Sequence, residues 1–202
     1  MNRYNVSSLF NYLKQSSFCV ASFVFMSSIP AEIKKRENIA EYIIHMYQTE
    51  DLILSYDFNL DEINQYIIQH MSKDKQMIKK ILLWYAGIID NMKSEGITNS
   101  SKRLSTTQAY VDQLTKIHKS LLKEDLSYTS VFKKAEADVN EHIKLSANTV
   151  TNPIQICING LYGMLLLKLN GKKILEADEA KLEKFGAVLA YLSDAFNKVD
   201  FI

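Results

Sequence analysis

The sequence predicts an all-α fold: a single-domain bundle of six or seven helices around a central apolar helix near residues 153–170. Three observations carry this. From Pro30 onward, apolar residues recur at the three- and four-residue spacing that lines one face of a helix. Only six Gly and two Pro occur in 202 residues, which leaves little turn chemistry for a many-stranded β fold. No segment alternates apolar and polar residues convincingly, and the 47% hydrophobic content is enough for a buried core.

The first helix is expected over about Ala31 to Ser55, with Pro30 tolerated at its entry. Its inner stripe reads Ile39, Ile43, Met46, Tyr47 and Ile53. A short helix follows from Leu60 to Met71, capped by Asn59 with Glu62 as its partner three residues on. The third, capped by Ser72, runs to about Glu95 on a stripe of Ile78, Ile81, Tyr85, Ile89 and Met92, and Gly96 stops it. Ile97 to Arg103 has loop composition. Helix resumes near Ser105, with Leu114, Ile117, His118 and Leu121 inward, and again over about Tyr128 to Ser146. After a break at Asn148 to Asn152, the pair Asn152-Pro153 opens a helix ending near Asn170 and Gly171. That helix is apolar on nearly every side, which makes it the expected buried centre. Gly160 and Gly163 within it predict close approach of a neighbouring helix. The last helix spans about Asp178 to Lys198.

The first 30 residues differ from the rest, and residues 31–202 are read as the helical domain. Residues 1–25 hold only Arg3 and Lys14 as charges, then the apolar stretch Phe18 to Met26. Three readings compete: an upstream extension with translation starting at Met26, a weak secretory signal cleaved near Ala31, or a packed helix. The apolar stretch is too short to span a bilayer. The expected location is the cytoplasm, or outside it if residues 1–31 prove to be a signal.

Charge excludes one large class. The 24 Lys and Arg balance 23 Asp and Glu, the signs are interspersed, and no basic footprint for nucleic acid emerges. Cys19 and Cys157 lie in dissimilar settings, so no disulfide framework is expected and a reducing compartment fits.

Chemical motifs are weak. Gly171-Lys172-Lys173 has Leu166 where a phosphate loop needs its first Gly and Lys173 where it needs Ser or Thr. The four histidines have no metal-ligand spacing; Glu41 with His45 and Asp138 with His142 are one residue too far apart for the Glu-x-x-His pattern and suit a structural hydrogen bond. Cys157 among isoleucines reads as inert. No catalytic residue, cofactor or metal is assigned. Three polar residues interrupt apolar surfaces: Glu50 on the first stripe, His118 on another, and Asn159 on the central helix. A buried charge must be paired or neutralised, so they are read as an interior polar network. It either fixes helix register or forms a ligand site walled by Tyr47, Trp84, Tyr85 and Tyr162.

Several segments resemble one known family. Glu37-Asn38-Ile39-Ala40-Glu41-Tyr42, Met46 to Ile53, Trp84-Tyr85 with Glu95-Gly96, the Leu114 to Leu122 helix, and Asn159-Gly160-Leu161-Tyr162-Gly163 through Leu169 resemble, in order, an uncharacterised Bacteroidetes family, domain of unknown function 4924. Coverage runs from about residue 32 to 198; Ala86-Gly87 and the Ser100 to Ser105 loop depart from its pattern. The resemblance implies a small cytoplasmic helical protein with no assigned activity, cofactor or catalytic residue. Two functions are therefore carried forward. The first is a non-enzymatic bundle acting through a protein partner or its own copy. The alternative is a small-molecule-binding or enzymatic bundle with a site at Glu50, Tyr47, Tyr85, His118, Asn159 and Tyr162.

Overall fold

The computed structural model describes residues 38–199. The leader, with its three readings, and the expected helix start at Ala31 lie outside the described residues. Within them the chain is all-α, with seven helices and no strand, as the apolar spacing predicts.

Each start has a local cause. Helix α1 (Ile39–Ser55) opens on Asn38, whose side-chain oxygen accepts from the Ala40 and Glu41 amides at 3.1 and 3.3 Å. Helix α2 (residues 60–71) is capped as expected: Asn59 accepts from the Glu62 amide at 3.2 Å and donates to its carboxylate at 2.9 Å. It is not uniform, however. It runs as Leu60–Ile63, a π-helical stretch Asn64–Ile68, and Gln69–Met71. The wider turn aligns side chains five apart, and Gln69 donates to Asn64 at 3.0 Å.

Helix α3 (Lys75–Ser94) is capped by Asp74, which accepts from the Gln76 amide at 2.8 Å, rather than by Ser72. Ser72 instead receives the Asp74 amide at 3.0 Å. Gly96 ends α3 with φ +63°, the left-handed conformation that lets the Ile97 amide return to the Met92 carbonyl. Helices α4 (Ser105–Glu124), α5 (Leu126–Leu145), α6 (Pro153–Leu169) and α7 (Glu176–Val199) complete the fold. Asp125 caps α5 and Asn152 caps α6, each accepting two backbone amides.

The chain divides into two compact units. The first holds residues 45–107; the second holds the described residues 38–44 and 108–199. Ile53, Ile63, Ile68, Met92, Ile97 and Leu104 are buried in the first. In the second, α5 and α7 run antiparallel: Lys181 meets Glu141 and Lys184 meets Asp138, both at 2.7 Å, while the Tyr191 hydroxyl donates to Asp125 at 2.6 Å. Helix α6 lies on α7 so closely at Gly160 that a Cβ there would stand 2.9 Å from the Phe185 ring. The expected close approach is absent at Gly163, which has nothing within 4 Å.

The expected central helix requires correction. Ile154, Ile156, Cys157, Ile158 and Tyr162 of α6 are buried, but from Gly163 to Leu169 the helix is half-buried or exposed. The most enclosed segment is instead His45 to Ile53 of α1, nine consecutive buried residues of which five are polar. Burying those five is tolerable only where partners replace water, and the apolar pattern gave no sign of such partners.

Candidate functional site

In an isolated helix, the His45 to Ile53 segment would present polar groups on two opposite sides. Spacing puts Tyr47, Glu50 and Asp51 on one face and His45, Gln48 and Thr49 on the other. On the first face, Arg103 reaches back across the polar loop between α3 and α4. Its guanidinium grips Asp51 with both nitrogens, at 2.6 and 3.2 Å, and donates to the Tyr47 carbonyl at 3.3 Å. It also lies over the Tyr47 ring, 4.3 Å from the centroid, an arrangement that suits a planar cation.

Glu50, fully buried, stands beside this pair, 3.7 Å from the guanidinium. One oxygen accepts from the Thr107 hydroxyl at 2.8 Å and the other faces the Leu104 amide at 3.4 Å. Burial pushes the Glu50 carboxyl above its ordinary range; Thr107, Arg103 and the Leu104 amide pull it back, and Asp51 adds to the rise. Both oxygens are thereby committed to the start of α4, whose first amides have no partner within the helix. Glu95 serves the same helix end, accepting the Ser105 amide and hydroxyl at 2.8 and 2.7 Å. The Lys102 ammonium in turn donates to the Glu95 carbonyl. Two carboxylates and one arginine therefore anchor a helix start.

Tyr85 is 1% exposed, and burial raises its hydroxyl pKa. Its neighbour Trp84 stacks on the His45 ring.

The remaining expected site residues belong to the second unit. His118 Nδ1 pairs with the Tyr128 hydroxyl at 2.6 Å, and its ring meets Phe132 at 4.6 Å. Burial lowers its pKa to about 4, with Lys119 adding to the effect. Tyr162 is buried. Asn159 is exposed and receives a 2.8 Å hydrogen bond from Gln155. This corrects the reading of Asn159 as an interior residue, because the uncovered side of α6 turns it to solvent. Tyr47, Glu50 and Tyr85 thus fall in one unit and His118, Asn159 and Tyr162 in the other. Glu50 and His118 each have partners within their own unit.

Asp138 and His142 do meet, through the Asp138 carbonyl and His142 Nδ1 at 2.8 Å. Cys157 is a free thiol, raised by burial to about 12. Among the described residues, no group of three His, Cys, Asp or Glu is placed to hold a metal. None of the described helices is long and apolar enough to cross a membrane.

Sequence reasoning missed Asp51, Arg103, Thr107, Gln48 and Tyr128. One signal was available: Arg103 is one of three arginines in a chain whose other cations are lysines, and a planar fork is favoured where a buried carboxylate must be held from two directions.

A family model described as Domain of unknown function (DUF4924) matches residues 28–200. The chain belongs to this family. The match includes all seven described helices and every residue of the candidate site. No curated protein and no solved structure matches the chain. Membership in DUF4924 brings no activity with it, so function rests on the geometry.

Proposed function

We propose that the protein is non-enzymatic and works by association, with a second copy of this chain docking on the C-terminal half of α6 and the turn into α7. The carrying observation is apolar surface left uncovered: Leu161, Met164 to Leu167 and Leu169 are only half-buried, and Leu175 is 69% exposed. The ion pair between Glu141 and Lys181 brings the end of α5 beside the start of α7, which adds exposed Leu145 to the same end of the second unit. Contiguous apolar surface of this kind marks an interaction site.

Charge favours a like partner. Exposed Lys168, Lys172 and Lys173 precede exposed Glu176, Asp178 and Glu179 across this turn, so a two-fold arrangement sets the bases of one copy against the acids of the other. The polar residues that most resemble a reactive site, Glu50 and His118, are engaged in holding helices, which supports a role without catalysis. A buried free thiol suits the reducing cytoplasm.

Sedimentation of the full chain across a wide concentration range tests this. A reversible dimer is expected, and Leu175→Glu should weaken it at least about tenfold, while the exposed position leaves the fold intact. A wild-type chain that remains monomeric at the highest concentration, or a dimer indifferent to the substitution, overturns the proposal.

A further inference from the structure

Two buried polar groups of the first unit take no part in the arrangements above. Gln48 is 3% exposed and Tyr85 1%. Among the described residues neither end of the Gln48 carboxamide has a hydrogen-bond partner, and the Tyr85 hydroxyl has only Thr49 beside it. Interiors rarely leave such groups unpaired, because each has given up water without replacement.

The two converge. Gln48 shares its face of α1 with His45 and Thr49, and α3 meets that face. The His45 ring stacks on the Trp84 indole with centroids 5.8 Å apart and planes 7° from parallel. Trp84 meets the Tyr85 ring edge-on at 5.2 Å, and Thr49 lies beside the Tyr85 hydroxyl. Glu50 and Asp51 of α1 are turned to the opposite face and held around Arg103. This face therefore offers a free carboxamide, with one donor edge and one acceptor edge, and beside Thr49 a phenol that can donate or accept.

We propose that Gln48 and Tyr85 form a binding site for a small neutral molecule bearing a hydrogen-bond donor and acceptor side by side, a planar lactam or carboxamide, with the Trp84 and His45 rings as its aromatic wall. A carboxamide pairs such an edge with two parallel hydrogen bonds, as glutamine does with adenine. The site is independent of the self-association surface, which belongs to the other unit.

Nicotinamide, uracil and hypoxanthine serve as probes, with benzoate and toluene as controls that carry a charge or lack hydrogen-bonding groups. Binding to the full chain is read by calorimetry and by the shift in thermal midpoint. The expected result is that at least one probe binds the wild type while the controls do not. Gln48→Met, which keeps the side-chain volume, should then weaken that probe at least about tenfold. Tyr85→Phe supplies a second variant if Gln48→Met folds poorly. If none of the three probes binds the wild type, if the controls bind as well as the probes, or if binding is undiminished in both variants, the proposal is overturned.

Discussion

His118 is 3% exposed, with the Tyr128 hydroxyl on Nδ1 and the Phe132 ring against its face. Charging it there means placing a cation among aromatic rings with only a phenol in reach, next to the like charge of Lys119, and its pKa falls to about 4. An unfolded histidine titrates near 6.5, so between these values the unfolded chain binds a proton that the folded chain does not. Folding stability is therefore unaffected above about pH 7 and is lost as pH falls through 6.5 toward 4, by up to about 3 kcal/mol. Urea unfolding at steps from pH 7 to pH 4 should show this loss, and His118→Gln should flatten it, because glutamine takes up no proton. An equal loss in both proteins would assign the acid sensitivity to the carboxylates instead.

Helix α6 shows how one element combines two opposite demands. Glycine in a helix interior costs about 1 kcal/mol relative to alanine, yet α6 carries two, three residues apart. At Gly160 the reason is contact: an added Cβ would stand 2.9 and 3.0 Å from two atoms of the Phe185 ring, itself fully buried. The ring must move or the helices must part, a strain of about 1–3 kcal/mol that exceeds the gain in propensity. Gly160→Ala should therefore destabilise by about 1 kcal/mol. Gly163→Ala, with open space around it, should stabilise by about 0.5–1 kcal/mol. Equilibrium unfolding of the two variants beside the wild type checks the sign of each. The sequence placed both glycines on one helix and gave them one explanation, and only three-dimensional neighbours separate them. The same limit applies to α6 as a whole. Its all-round apolar pattern reads as a core helix, but pattern reports what a helix can bury, not how many neighbours arrive to cover it. Caps were more legible, because Asn59, Asn152 and Gly96 act within a few residues of themselves.

Across the molecule, what was legible in the sequence divides by range. Helix positions followed from local periodicity; the roles of polar residues depended on partners more than 50 positions away, such as Arg103 and Thr107 for Asp51 and Glu50. Glu50 stood out because it broke the middle of a stripe, while Asp51 at the edge of that stripe and Gln48 on the opposite face did not. A consequence for the whole chain follows from α1, which supplies residues 39–44 to one unit and 45–55 to the other. Helix formation is cooperative, and ending a helix in mid-course forfeits backbone hydrogen bonds on both sides of the break. Unfolding either unit alone would leave half of α1 without its tertiary contacts, so the two units are expected to unfold in one transition. The single tryptophan, Trp84, belongs to the first unit, so its fluorescence follows that unit, while far-ultraviolet circular dichroism follows helices in both. At one protein concentration, urea titrations by the two probes should coincide in midpoint and slope. Two separated transitions would mean that α1 breaks between Ile44 and His45 at little cost, and that each unit folds on its own account.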